Sequence, residues 1–234
     1  MPRGQELTMT DATQINTIHS IDDAGIQLIE TMHVGPGRDI ALLTGHMHRL
    51  QTSAQALGYP WHGQRVAQAI QHTLMGVDES GTFRLRLLLD SRGDCSLECM
   101  VLPPTPEPVK LKLAPEPLVA DAFWLAHKTT RRDWYEPAQA WLSAHAEYFD
   151  VVYCNEQGQI CEGSRSNLYV QNDAGVWLTP PVSAGLLPGV MRQTLLDQGL
   201  VREAPVTRQM LSDARAVRVS NALRGWLDAR IGDD

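Results

Sequence analysis

Apolar positions change period several times along the chain. Residues 25–33 (GIQLIETMH) gather Ile, Leu and Thr into a strand. A turn at Gly35-Pro36-Gly37 follows, and Ile40 to Leu43 read as a second short apolar strand. The period then lengthens: Met47, Leu50, Ala54 and Leu57 share one face of a helix predicted over 44–57, and a second helix is expected across 62–75. Phe83, Leu85, Leu87 and Leu89 alternate with Arg84, Arg86 and Leu88, which predicts a strand with one apolar face. Ser91-Arg92-Gly93-Asp94 turns the chain, and 95–102 returns as a strand.

The stretch Pro103-Pro104-Thr105-Pro106-Glu107-Pro108 interrupts both periods. Proline lacks a backbone N–H and fixes φ, so this segment forms neither a helix nor a central strand. It is the candidate linker, taken as 105–108, between an N-terminal lobe over 1–104 and a C-terminal lobe over 109–234. Beyond it the pattern predicts a strand at 109–113, a helix over 134–146, strands at 150–155 and 159–162 about a turn, and strands at 168–170 and 176–179 about another. A helix should begin near Pro188-Gly189 and run to Gln198, and 216–221 read as a late buried strand. The mixture predicts an α/β protein, with an α+β N-terminal lobe and an α/β C-terminal lobe.

Composition adds exclusions. The chain has 234 residues, 43% hydrophobic and 20% charged, which is ordinary for a globular protein. A net charge of -7 argues against non-specific nucleic-acid binding, which needs basic patches. No apolar run is long enough to span a membrane. The opening residues 1–7 lack the apolar core of a secretory signal, so a cytoplasmic protein is expected. Cys95, Cys99, Cys154 and Cys161 match no common zinc spacing and are expected to be free thiols. His46 and His48 lie two apart, on different sides of a helix, so no metal site is expected.

The candidate chemistry centres on Lys128. A lysine amine forms a Schiff base with an aldehyde once its pKa is lowered. Glu162 is a later carboxylate that could keep a pyridine nitrogen protonated, making the ring an electron sink. The helix start after Pro188-Gly189 offers free N–H groups to a phosphate. Singly, each is weak: Lys128 could be a solvated charge, Glu162 an acid at a strand end, and Arg49 a cation on a helix surface. Together they are what a pyridoxal-phosphate site requires.

Five stretches in order carry a resemblance. LIETMHV (28–34), HMHRLQTSAQALGYP (46–60), HKTTRRDWYEPA (127–138), NEQGQICEGSRSNLYV (155–170) and TPPVSAGLLPGVMR (179–192) resemble the class IV aminotransferases, the fold-type IV pyridoxal-phosphate enzymes. The ending VSNALRGW (219–226) is most like the family's 4-amino-4-deoxychorismate lyase branch. The resemblance implies a D-amino-acid aminotransferase-like fold with pyridoxal 5'-phosphate between the lobes. It implies Lys128 as the lysine bound to cofactor and the proton shuttle, and Glu162 as partner of the pyridine nitrogen. Arg49 and the backbone N–H groups of Val190 and Met191 would hold the phosphate, with Ser220 and Asn221 closing its cup beside Ala222. Arg86 and Arg132 would meet substrate carboxylates, and Asn167 would support Glu162. The chain departs from the family in an abbreviated start before the ETM strand. It also carries Asp133 where transaminase relatives often place a tyrosine after the lysine; Tyr135 is the candidate substitute. His127, beside Lys128, is expected to pack rather than to act as a base.

The activity so implied is the lyase reaction, releasing pyruvate and 4-aminobenzoate for folate synthesis, by a homodimer served by an aminodeoxychorismate synthase. A class IV amino-acid transaminase is the alternative. A non-catalytic cofactor-binding or interaction protein is a third reading, against which Lys128, Glu162 and Arg49 argue together.

Overall fold

Residues 25–232 are described by the computed structural model. The expectations for residues 1–7 and for the abbreviated start before the ETM strand lie outside them. The first layer is an antiparallel sheet in the order β1-β2-β3, formed by β1 (Leu28–Val34), β2 (Phe83–Leu89) and β3 (Cys95–Val101). Strand alternation sends Leu28, Met32, Val34, Leu85, Leu87 and Leu89 to one face. Two helices cover that face: α1 (Leu43–Leu57) and α2 (Gly63–Met75), which contribute Leu50, Ala54, Val66 and Ile70. Each such fully buried aliphatic side chain stabilises the layer by about 1.5–3 kcal/mol.

One element differs from the sequence reading. Ile40 to Leu43 do not form a strand. Pro36–Arg38 make a short 3-10 turn, Arg38 takes a positive φ of 61°, and an isolated bridge joins Gly35 to Asp39. This loop reverses the chain so tightly that no strand lies alongside to pair with 40–43. The apolar run instead leads into α1, which starts at Leu43.

The second sheet has eight strands in the order β6-β5-β4-β11-β10-β7-β8-β9. It contains β4 (Val109–Leu113), β5 (Asp150–Cys154), β6 (Ile160–Gly163), β7 (Asn167–Gln171), β8 (Trp177–Thr179), β9 (Arg202–Glu203), β10 (Ala216–Asn221) and β11 (Gly225–Ile231). The pairs β4/β5, β4/β11 and β8/β9 are parallel and the others antiparallel. Val109, Leu111, Val152, Leu168, Val170 and Val219 form its main core. Four helices belong to this part: α3 (Ala122–Ala126), α4 (Glu136–Ala144), α5 (Val190–Asp197) and α6 (Arg208–Ser212). The helix expected over 134–146 begins as a 3-10 turn at Asp133–Tyr135 and continues as α4. No described helix is long and apolar enough to cross a membrane, and all four cysteines are free.

Two contacts join the sheets where they matter. The start of β1 runs beside the segment after α3: the Ile29 N–H donates to the Lys128 carbonyl (2.8 Å), the Thr130 N–H donates to the Gln27 carbonyl (2.8 Å), and Leu28 bridges Thr129. Farther along, α1 meets the start of α5 at Gly45, where an added Cβ would lie 2.6 Å from Cγ1 of Val190. We expect Gly45→Val to cost about 1–3 kcal/mol through overpacking, despite valine's better helix propensity. Urea unfolding of the apoprotein checks the stability; cofactor retention on a desalting column checks whether α5 has been displaced.

Candidate active site

Between the sheets lies a cleft of ≈ 180 Å³. Thr31, Arg49, Lys128, Arg132, Glu162 and Gly189 are among the residues that line it. They come from β1, α1, the segment after α3, the end of β6 and the start of α5, so distant stretches of sequence converge here.

Lys128 retains some exposed area toward the cleft. The protein around it nonetheless dehydrates its amine, and this, aided by the neighbouring cations Arg132 and Arg49, lowers its pKa from 10.5 to about 7; Glu30 and Glu162 oppose the shift. A substantial fraction of neutral amine is therefore available near neutral pH. Glu162 is buried, and dehydration pushes its carboxyl up from 4.5 to about 7. Two neutral groups brace it: the Tyr135 hydroxyl donates to Oε1 at 2.6 Å, and Asn167 Nδ2 donates to Oε2 at 3.4 Å. Asn167 Nδ2 also donates to the Leu187 carbonyl at 3.0 Å, which ties the carboxylate's support to the loop before α5. A carboxyl poised in this way can share a proton with a basic ring nitrogen.

Arg49 is held from below. Its Nε and Nη2 donate to the two oxygens of Glu30 at 2.8 and 2.6 Å, and His46 Nδ1 lies 2.6 Å from Oε2. Burial alone would raise the Glu30 carboxyl, but Arg49 and His46 outweigh it and hold the pKa at about 2. Glu30 therefore stays ionised and fixes the guanidinium at the cleft wall. The sequence reading missed this residue. The signal was present: a carboxylate on the inward side of an otherwise apolar strand face, between Leu28 and Met32, is costly unless paired.

The α5 helix begins after Gly189, with no side-chain cap. Its first backbone N–H groups have no partner within the helix. A Cβ at Gly189 would collide with Asn167 Oδ1, so only glycine lets this helix start approach so closely. Val190 lines the cleft. Met191 does not, because its side chain packs against the Tyr169, Leu195 and Val201 cluster; only its backbone could serve an anion. Ser220 is buried at the cleft floor, with Oγ 2.7 Å from the Tyr169 hydroxyl, a partner not evident from sequence. Asn221 and Ala222 line the same wall.

The remaining candidates divide. Arg132 lines the cleft, donates to the Ser164 carbonyl and lies 5.1 Å over the Tyr135 ring. Arg86 does not line it; it sits on β2 opposite Thr31, which does. His127 pairs through Nδ1 with Ser53 Oγ at 2.9 Å, and partial burial lowers its pKa, favouring the neutral ring. A second unanticipated residue is the buried Asp150, which accepts from Ser164 Oγ and Ser166 Oγ at 2.6 Å each and from the Arg165 N–H at 3.1 Å. It shapes the loop between Glu162 and Asn167 on the cleft wall.

This donor set fits pyridoxal phosphate. An amine with a lowered pKa, a proton-sharing carboxyl, an anchored guanidinium and a glycine-opened helix start serve the aldehyde, the ring nitrogen and the phosphate.

Comparison with known proteins agrees. Residues 27–231 match the family described as Amino-transferase class IV. A Schizosaccharomyces pombe protein named "Putative aminodeoxychorismate lyase" is 28% identical over 169 residues, covering 70% of this chain and 71% of its own. The structure of a "Putative amino-acid aminotransferase" from Mesorhizobium loti is 35% identical with a TM-score of 0.82, covering 89% of this chain and 100% of that one. A Pseudomonas aeruginosa 4-amino-4-deoxychorismate lyase shares the fold at 23% identity and a TM-score of 0.72, covering 89% of this chain and 83% of its own.

Two outcomes follow from the electrostatics. Glu30→Ala leaves the partly buried Arg49 guanidinium without its anion and should cost about 1–3 kcal/mol in urea unfolding, with cofactor affinity falling about tenfold or more as Arg49 loses its anchor. For Lys128, a folded pKa below the unfolded 10.5 means that the unfolded chain binds more protons between about 7 and 10.5, so this residue's contribution to stability rises with pH across that window. Lys128→Met apoprotein should accordingly be more stable than the parent at pH about 7, with the advantage shrinking toward pH about 10. Denaturant midpoints across that range measure the difference.

Proposed function

The chain belongs to the class IV aminotransferase family, a family of pyridoxal-phosphate enzymes, and within it we propose a 4-amino-4-deoxychorismate lyase. The observation that carries this reading is Lys128, with its lowered pKa, in one cleft with the proton-sharing carboxyl of Glu162. Names borne by relatives and the VSNALRGW ending support the lyase over other family reactions.

When bound, pyridoxal phosphate supplies an aldehyde for an amine and a protonated ring that takes up electrons. In our reading Arg49, anchored by Glu30, and the N–H groups of Val190 and Met191 hold the phosphate, with Ser220 and Asn221 closing the cup. Glu162, steadied by Tyr135 and Asn167, shares the proton of the ring nitrogen. Lys128 in its neutral form takes the hydrogen from the substrate's aminated ring carbon. The bond between the ring and the enolpyruvyl oxygen then breaks, the released enolpyruvate takes up a proton at its methylene carbon to become pyruvate, and the six-membered ring becomes aromatic, leaving 4-aminobenzoate. Arg132 in the cleft, and Arg86 at the sheet position opposite Thr31, engage substrate carboxylates. We further take the protein to be a cytoplasmic homodimer with lobes at 1–104 and 109–234 about the 105–108 linker, fed by a synthase that aminates chorismate.

A class IV amino-acid transaminase is the second reading, favoured by the likeness to the Mesorhizobium loti aminotransferase. There Lys128 moves the proton between two carbons, and the amino group is passed to a keto acid rather than retained on the product. A transaminase consumes its keto-acid co-substrate one for one; a lyase needs none. Purified holoenzyme given enzymatically generated aminodeoxychorismate should form 4-aminobenzoate and pyruvate in equal amounts without added keto acid. Lys128→Ala should lower that rate by about 10³-fold or more while circular dichroism reports an intact fold. A holoenzyme with no 4-aminobenzoate but with keto-acid-dependent amino transfer would establish the second reading instead. Turnover undiminished in Lys128→Ala would remove the assignment of that lysine.

A further inference from the structure

Beside the cleft lies a second, wider hollow of ≈ 830 Å³. Arg165, Asn221 and Leu223 line both, so the two spaces meet there. The hollow is strongly cationic. Arg84, Lys110, Arg165, Arg224 and Arg230 line it, against the single carboxylate of Glu147.

Its arginines are only partly satisfied. Arg224 donates through Nη1 to the Pro103 carbonyl, a neutral acceptor, and a guanidinium has five N–H donors in all. Arg84 reaches the exposed Glu98 and the Met100 sulfur through Nη2, while its Nε is buried with no partner among the described residues. Arg165 is exposed, and its charge acts on the buried Asp150, opposing the rise that burial gives that carboxyl. Burial, and secondly the charge of Arg84, weaken the hold of Arg224 on its proton.

The turn that presents Arg224 is tied to the cleft. Asn221 accepts from the Arg224 N–H at 2.8 Å through Oδ1 and donates to the Arg165 carbonyl at 3.2 Å through Nδ2. One side chain on the cleft wall thus fixes the backbone that carries both arginines. A buried, unpartnered guanidinium N–H facing other cations calls for an anion.

We propose that Arg224, with Arg84 and Arg165, forms an anion subsite at the cleft mouth that selects substrates bearing a second carboxylate, remote from the reacting amine. The proposal deepens the lyase reading and rests on it for the substrate's identity: aminodeoxychorismate carries one carboxylate on its ring and another on its enolpyruvyl arm. Arg224 and Arg84 are specificity residues in this account, and neither touches the cofactor.

The test uses holoenzyme and two unreactive probes read by the cofactor's absorbance: carboxymethoxybenzoate, with two carboxylates, and methoxybenzoate, with one. We expect the dicarboxylate to bind about tenfold tighter or more, and Arg224→Gln to reduce that ratio toward one while leaving methoxybenzoate binding unchanged. Arg84→Gln, on a different strand, should act in the same direction and guards against a folding defect in one variant. Equal binding of the two probes by the parent, or a ratio preserved in both variants, would overturn the subsite. Failure of the lyase reading looks different: no 4-aminobenzoate is formed, yet the ratio still collapses in Arg224→Gln, which keeps the subsite and assigns it to a dianionic transaminase substrate. With lyase activity present, the same variant should raise KM about tenfold with kcat within about threefold.

Discussion

The site depends on a short piece of backbone pairing. Where β1 begins, the Ile29 N–H binds the Lys128 carbonyl, and Thr130 and Gln27 close the pair on the other side. Lysine is a long, mobile side chain, and fixing its position costs up to about 2 kcal/mol of rotamer entropy. Clamping its backbone on both sides removes one source of that disorder before any ligand arrives. The same pairing joins the small sheet to the large one, so Arg49 and Glu30 on one layer keep their distance from Glu162 and α5 on the other. Preorganisation here is a property of the seam rather than of either sheet.

Two buried carboxylates show how environment divides one functional group into two roles. Burial raises the pKa of each, and the partners decide the outcome. Glu30 faces Arg49 and His46, and its pKa falls to about 2. Glu162 receives hydrogen bonds from a phenol, an amide and the Leu187 backbone, and the charge of Arg132 does not outweigh its burial, so its pKa stays near 7. Glu30 is therefore a permanent anion that orients a cation. Glu162 can gain or lose a proton at working pH, which is what a ring-nitrogen partner must do. Exchanging the partner sets would exchange the roles.

Much of this was legible beforehand. Periodicity located most strands and the longer helices, because α1, α2 and β2 present one apolar face each to a single core. It failed where local pattern and tertiary setting disagree. Ile40 to Leu43 carry apolar residues suited to a strand, but the tight loop at Pro36–Arg38 leaves them no neighbour. The five-residue helices α3 and α6 are too short to show a period, and β11 mixes Trp, Asp and Arg, so its place in the sheet comes from pairing with β10 and β4. Motif order brought Lys128, Glu162, Arg49, Val190, Ser220 and Asn221 to one cleft. It passed over Glu30, Tyr169 and Asp150 because these residues act through others, and a supporting contact has no fixed sequence spacing. Arg86 shows the converse: a motif match puts a residue on the right sheet face without bringing it to the cleft wall.

Net charge was the least informative number. An excess of seven acids argues against non-specific nucleic-acid binding, yet the average conceals local clusters of cations. Inside the cleft the anchored Arg49 is paired with the ionised Glu30, so its guanidinium is held in place with much of its charge balanced. Arg132 and Arg224 donate to neutral carbonyls instead, while Arg84 at the hollow pairs with the exposed Glu98. Cations nonetheless outnumber acids among the residues that line the hollow. Low-dielectric walls strengthen the field of such a cluster, so local attraction of a small anion is compatible with a negative net charge. Salt at the Debye length of about 8 Å screens the outer surface but acts less inside. In our proposal the few arginines beside the cleft, not the overall charge, select what enters.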